Sequence, residues 1–205
     1  MLIISENIKK YIENNLDIKN NEIEMDDIIK LEKININGLN YKLEKAVFVP
    51  KELSYLKGIK ECSFNNFTIT NEILENLNKL EKLNVLQFDF SQSKTDKTIN
   101  NKISSIYLDC SDFALLNMCN NTDYMETIFL KNAGEVDINS ICKYKNLKKL
   151  FLLNSDVKNI ELLEKLSNLS YLKIIGSKIE NTEIIEKLRK KIKVVYSEEE
   201  YFNIG

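Results

Sequence analysis

The side chains in these 205 residues that could carry out acid–base, metal or nucleophilic chemistry are few, and their spacing does not suit it. Histidine is absent, which removes the commonest general base and metal ligand. The acidic pair Asp26 and Asp27 and the run Glu198 to Glu200 read as solvated surface charge rather than as an acid–base pair. Cys62, Cys110, Cys119 and Cys142 are scattered with no C-x-x-C pair, so free thiols are expected rather than a zinc or redox site. No Gly-rich phosphate loop, G-x-S-x-G or H-E-x-x-H occurs. The chain therefore reads as a non-enzyme without cofactor or metal. Residues suited to contact chemistry are better organised: Tyr107, Phe129 and Phe151 recur at one constant interval, and Tyr171 follows.

That recurrence points to the elements that must position these rings. Apolar residues repeat in the order L-x-x-L-x-L at Ile59, Cys62, Phe64; Leu83, Leu86, Phe88; Ile103, Ile106, Leu108; Met125, Ile128, Leu130; Leu147, Leu150, Leu152; and Leu169, Leu172, Ile174. The middle members Cys62, Leu86, Ile106, Ile128, Leu150 and Leu172 thus follow one another at a nearly fixed period, strictly constant over the last four. Within each segment the last two apolar residues alternate with outward ones, the period of a half-buried strand. One such strand cannot bury its own apolar edge, whereas parallel strands stacked one per repeat bury a shared one. A short strand at Ile192, Val194 and Tyr196, with Ile192 read as the next middle member, closes the stack. Between strands a second apolar set returns, as in Val157, Ile160, Leu163 and Leu166, so residues 159–166 and 183–191 are expected to be short helices on the outer wall.

With the inward residues assigned, the outward ones fall into columns. The central column is Ser63, Gln87, Tyr107, Phe129, Phe151, Lys173 and Lys193. One flanking column is Asn65, Asp89, Asp109, Lys131, Leu153 and Ile175; the other is Glu61, Val85, Ser105, Thr127, Lys149 and Tyr171. Strands about 4.8 Å apart would join the three central rings into a ridge, with Asp89 and Asp109 at one edge and lysines at the far end. Cross-strand rings can simply stabilise a sheet. A one-residue slip would also exchange the inward and outward sets, but the inward set is apolar in all six repeats, which fixes the register. An apolar ridge on a polar sheet is more often a contact site.

This pattern resembles the leucine-rich-repeat family, in particular the 22-residue bacterial type found in internalins. The N-terminal region is similar too. Residues 5–16 pattern as an amphipathic helix with Ser5 as N-cap and Ile8, Tyr11, Ile12 and Leu16 on one face. A segment Ile23 to Ile29 and a first strand through Leu31, Ile34 and Ile36 come next, the order of an internalin helical cap. The resemblance implies an α/β leucine-rich-repeat solenoid with a parallel concave sheet, short convex helices and an N-terminal helical cap. Two features depart from it. Where the family usually carries a loop asparagine, this chain has Phe67, Ser91, Ser111, Ala133, Ser155 and Ser177. The connection from Asn37 to Leu56, with Ala46 to Pro50, is either an extra strand or an insertion.

The expected organisation is a cap, first strand and insertion over 1–55, repeats over 56–185 and a C-terminal cap over 186–205. The opening residues lack a basic region followed by a long apolar one, and no apolar run is long enough to span a bilayer, so a cytoplasmic protein without a membrane span is expected. The abundance of Ile, Lys and Asn fits an AT-rich bacterial coding bias. The expected function is protein binding on the concave face, with an immunity-type or effector-binding inhibitor as its sharper form. Tyr107, Phe129, Phe151, Tyr171, Leu153 and Ile175 would supply the contact, with Lys131, Lys149, Lys173, Asp89 and Asp109 orienting the partner. A second reading is a polyanion or nucleic-acid binder using Lys187, Arg189, Lys190, Lys191 and Lys193, although the net charge of −2 gives no general drive toward polyanions. A third is a self-associating scaffold.

Overall fold

The structure is a computed structural model that describes residues 25–37 and 53–199. The expected helix at residues 5–16 and most of the 37–56 connection, Ala46 to Pro50 included, lie outside the described residues. Helix α1 (Met25–Lys30) leads into β1 (Lys33–Asn37). The main sheet continues with β2 (Glu61–Asn65), β4 (Val85–Asp89), β6 (Ser105–Asp109), β7 (Thr127–Lys131), β9 (Lys149–Leu153), β11 (Tyr171–Ile175) and β13 (Lys193–Ser197). These eight strands lie side by side in chain order and every pairing is parallel. The expected leucine-rich-repeat solenoid is the fold found.

Register is regular along the whole sheet, with Cys62 opposite Leu86, then Ile106, Ile128, Leu150, Leu172 and Val194 in turn. The inward residues from β1 to β11 are almost fully buried, and the stacked rings of Phe64 and Phe88 lie 5.6 Å apart within them. The last strand corrects an expectation. Val194, not Ile192, follows Leu172 in the inward row, so the last step equals the three before it, and Val195 rather than Lys193 continues the central column. Ile192 lies just ahead of β13, which begins at Lys193, and packs against the core from that position.

The return path is only partly helical. Helices α2 (Asn71–Leu77), α3 (Ala114–Asn117), α4 (Ile138–Ile141) and α5 (Glu183–Arg189) alternate with 3-10 segments at Thr122–Tyr124 and Ile160–Lys165. The expected helix at 159–166 is thus the tighter 3-10 form, and 183–191 hold a true α-helix. Short strands unforeseen in the sequence follow several of the loops. β3 (Thr68–Thr70) pairs with β5 (Gln92–Lys94), while β10 (Asp156–Lys158) lies between β8 (Glu135–Asp137) and β12 (Lys178–Ile179). Tyr144 is fully buried under this wall and donates its hydroxyl to the Leu116 carbonyl at 2.7 Å. Gly58 is required by close approach, because a Cβ there would overlap the Ile29 carbonyl.

The loop positions that lack asparagine explain themselves. Ser91, Ser111, Ser155 and Ser177 are buried, and each hydroxyl accepts a backbone N–H from the preceding repeat: Phe67 at 3.2 Å, Ser91 at 3.0 Å, Ala133 at 3.3 Å and Ser155 at 3.0 Å. Three of these hydroxyls, those of Ser91, Ser111 and Ser177, donate to the carbonyls of Phe64, Phe88 and Leu152. Serine therefore builds its own ladder, and Ala133 interrupts it with no side-chain oxygen. One residue earlier in each repeat the backbone turns left-handed, at Asn66, Phe90, Cys110, Asn132, Asn154 and Gly176. Asparagine and glycine tolerate that turn, whereas a phenylalanine does so at a steric cost of about 1–2 kcal/mol.

Two stability outcomes follow from these positions. Phe64→Ala is expected to cost about 3–5 kcal/mol by leaving a cavity beside Phe88. Phe90→Gly, at an exposed site with φ of +50°, should instead raise stability by about 1 kcal/mol. Urea midpoints of the two variants against the parent chain check both signs.

Candidate functional site

The concave residues stand where the period-two alternation puts them. In β4, β6 and β7 the inward residues are buried and the three outward ones half-buried. Phe129 lies between Tyr107 and Phe151 in register. Ring centroids are 5.8 Å apart for Tyr107–Phe129, 5.6 Å for Phe129–Phe151 and 5.3 Å for Phe151–Tyr171, with interplanar angles of 37°, 39° and 43°. Tilted pairs at such distances suit the aromatic quadrupole. Tyr171 belongs by register to the column of Lys149 and Thr127, yet its ring reaches diagonally to Phe151. The ridge is therefore four rings long. Column position alone puts three in line, because it tracks Cβ positions and not the reach of a long side chain.

Beyond Tyr171, the Lys193 ammonium lies 5.6 Å from the ring centroid, a cation–π contact that ends the ridge in positive charge. Lys149 and Lys173 stand on β9 and β11 at the same end. Ile175 is half-buried, but Leu153 is fully buried in this face although its column points outward. Leu153 therefore supports the surface from beneath and presents no area of its own. An alternating pattern assigns direction but not the cover that neighbouring side chains provide.

At the opposite end Asp89 and Asp109 pair in register. Asp109 takes the Lys131 ammonium at 2.7 Å and the Asn132 side-chain amide at 3.0 Å. Asp89 accepts a hydrogen bond from Gln87 Nε2 at 2.9 Å. Burial pushes the Asp89 carboxyl above the usual aspartate range and the Asp109 charge adds to the rise, while Gln87 and Lys131 oppose it. Gln87, absent from the residues expected at the site, is drawn in by this bond; its central-column place was the available signal.

Other candidate chemistry stays dispersed. Three residues of the basic stretch near the C-terminus have local partners: Arg189 pairs with Glu186, Lys191 with Glu164, and Lys193 lies over Tyr171. All four cysteines are free. Burial raises the Cys62 thiol strongly and pushes Cys119 up to about 12, so neither offers a thiolate. Among the described residues no three His, Cys, Asp or Glu side chains converge on a point that could hold a metal ion, and no helix is long and apolar enough to cross a membrane.

No protein-family model matches the sequence, and no curated protein matches it. Solved structures do share the fold. An internalin C2 from Listeria monocytogenes superposes with a TM-score of 0.61 at 14% identity, over 94% of this chain and 93% of that one. An internalin F from the same organism gives 0.57 at 14% identity, over 98% of this chain and 64% of that one. The architecture is thus that of internalin-like leucine-rich-repeat proteins.

The acidic end generates a pH-dependent outcome. A raised aspartate pKa means that the folded state holds the proton more tightly than the unfolded chain does. Stability is therefore gained as pH falls through that interval, and at neutral pH the Asp89 charge is a net cost. Asp89→Asn keeps the Gln87 contact and removes the cost, so it should melt higher than the parent at neutral pH. The advantage should vanish at about pH 3, where the aspartate is protonated in the folded and the unfolded chain alike. Melting curves of both proteins across that range read the sign.

Proposed function

We propose that this chain is a binding protein, without catalytic activity, that docks another protein on its concave sheet. The carrying observation is the unbroken series of ring contacts from Tyr107 through Phe129 and Phe151 to Tyr171 on that face. Half-buried aromatics of this kind offer large contact area at little entropic cost and dominate interface energetics. They span about 14 Å, three strand spacings, which suits a helix face or a short extended segment. Ile175 extends the apolar area, while Lys131, Lys149, Lys173, Asp89 and Asp109 set orientation at its margins. The concave side of a regular solenoid is a continuous surface well suited to this role. Four free thiols fit an intracellular, reducing setting, and the reading includes a cytoplasmic site of action.

Phe129→Asp and Phe151→Asp separate docking from sheet support. Each removes two ring contacts, about 1–3 kcal/mol of stability, against the roughly 3–5 kcal/mol of a true core deletion. Both variants are expected to stay folded and to lose the partner that the parent chain retains in an affinity capture from source cells. Lys165→Glu on the convex wall should retain it. Unfolding of the ridge variants, or equal loss from the convex variant, would defeat the docking reading.

A further inference from the structure

The ridge ends in a shaped recess rather than a flat margin. Gln87, Asp89, Tyr107, Asp109, Phe129 and Lys131 surround about 240 Å³ on the concave face. Its wall is the tilted Tyr107–Phe129 pair, and its polar groups include two carboxylates and one ammonium. Lys131 is committed to Asp109 at 2.7 Å, with a side chain only 14% exposed, so the recess keeps one negative charge overall. That charge sits beside aromatic faces.

Charge and shape together select a monovalent cation with a flat, stackable body. An ammonium satisfies the charge, but a guanidinium also lies against a ring and meets a carboxylate with paired N–H donors. Phe90, directly after Asp89, holds a left-handed turn with the residue 56% exposed, and Cys110 holds the next; four other repeats use asparagine or glycine there. Both residues lie in the loops that follow Asp89 and Asp109, beside the recess and not in its lining.

We propose that this recess receives an arginine side chain of the docked protein, its guanidinium on Asp89 and against the Tyr107 and Phe129 rings. The proposal rests on the reading of the concave face as a docking surface and adds the charge of one anchor residue. Arginine at this end would seat a partner in one direction along the ridge, since the lysines at the other end repel a second cation.

The probe is N-acetyl-arginine N-methylamide, titrated into isotope-labelled protein and followed by amide correlation spectra. Saturable shifts are expected at the amides of Gln87 to Asp89, Tyr107 to Asp109 and Phe129 to Lys131. Asp89→Asn should weaken the response about tenfold, the worth of one charge-assisted hydrogen bond. Tyr107→Leu, which keeps bulk but removes the ring face, should weaken it severalfold, and the neutral citrulline analogue should leave the spectrum unchanged. Equal response to citrulline, tighter binding of the lysine analogue, undiminished binding by Asp89→Asn, or shifts spread over surface carboxylates would overturn the assignment. Lys165→Glu, on the convex wall and outside the recess, should keep the titration. A failed capture experiment with an intact titration thus removes the docking reading and, with it, the docked protein as the source of the arginine, whereas the converse removes the arginine assignment alone.

Discussion

A strand in a parallel sheet bonds both neighbours through its backbone, so once one pairing is set the position of every side chain on the next strand is set with it. In this chain that constraint propagates from β1 to β13 without a slip. The apolar residues at the inward positions enforce it, because moving a strand by one residue would expose a buried pair and bury charges. The serine hydroxyls at the strand ends reinforce it by tying loop to loop on either side of the break at Ala133. The aromatic ridge and the acidic recess both exist because residues one repeat apart in sequence are held one strand apart in space.

The inward rows were legible in the sequence because burial acts on residue type directly: a core accepts Leu, Ile, Phe or Cys and little else. The outward columns followed by alternation, which is why Asp89, Asp109, Tyr107, Phe129 and Phe151 stand where the pattern puts them. What alternation leaves out is side-chain length and local cover. Tyr171 joins Phe151 across columns, and Leu153 disappears beneath its neighbours, because both outcomes depend on packing among outward side chains. The last strand differs for another reason: an apolar residue at 192 precedes the strand, and hydrophobicity alone does not mark where pairing begins.

The loop chemistry shows the same division. The missing asparagines look like weakness when residue types are compared with those of the repeat family. In space the serines bind the neighbouring backbone N–H groups themselves, since a hydroxyl can both donate and accept within a tight loop. Of the left-handed positions just before these serines, Asn154 and Gly176 carry residues that tolerate the turn, while Phe90 and Cys110 do not. Strain and unusual exposure coincide beside Asp89, itself held in a less favourable protonation environment. These local penalties fall in two adjacent repeats at that edge of the sheet.

Stacked repeats touch only their neighbours, so resistance to opening depends on how many neighbours a strand has. Among the described residues β6 and β7 are flanked on both sides, while β13 pairs with β11 alone and its Val194 and Tyr196 are only partly buried. All four rings consequently stand on strands paired on both sides, and only the Lys193 cover lies on a singly paired one. The Tyr107 end of the ridge is clamped within the stack, whereas the cationic cover over Tyr171 is borne by a strand secured on one side. On the proposed docking, an incoming surface would meet four preformed rings and one compliant cationic cover. The entropy of ordering would then be concentrated in that cover.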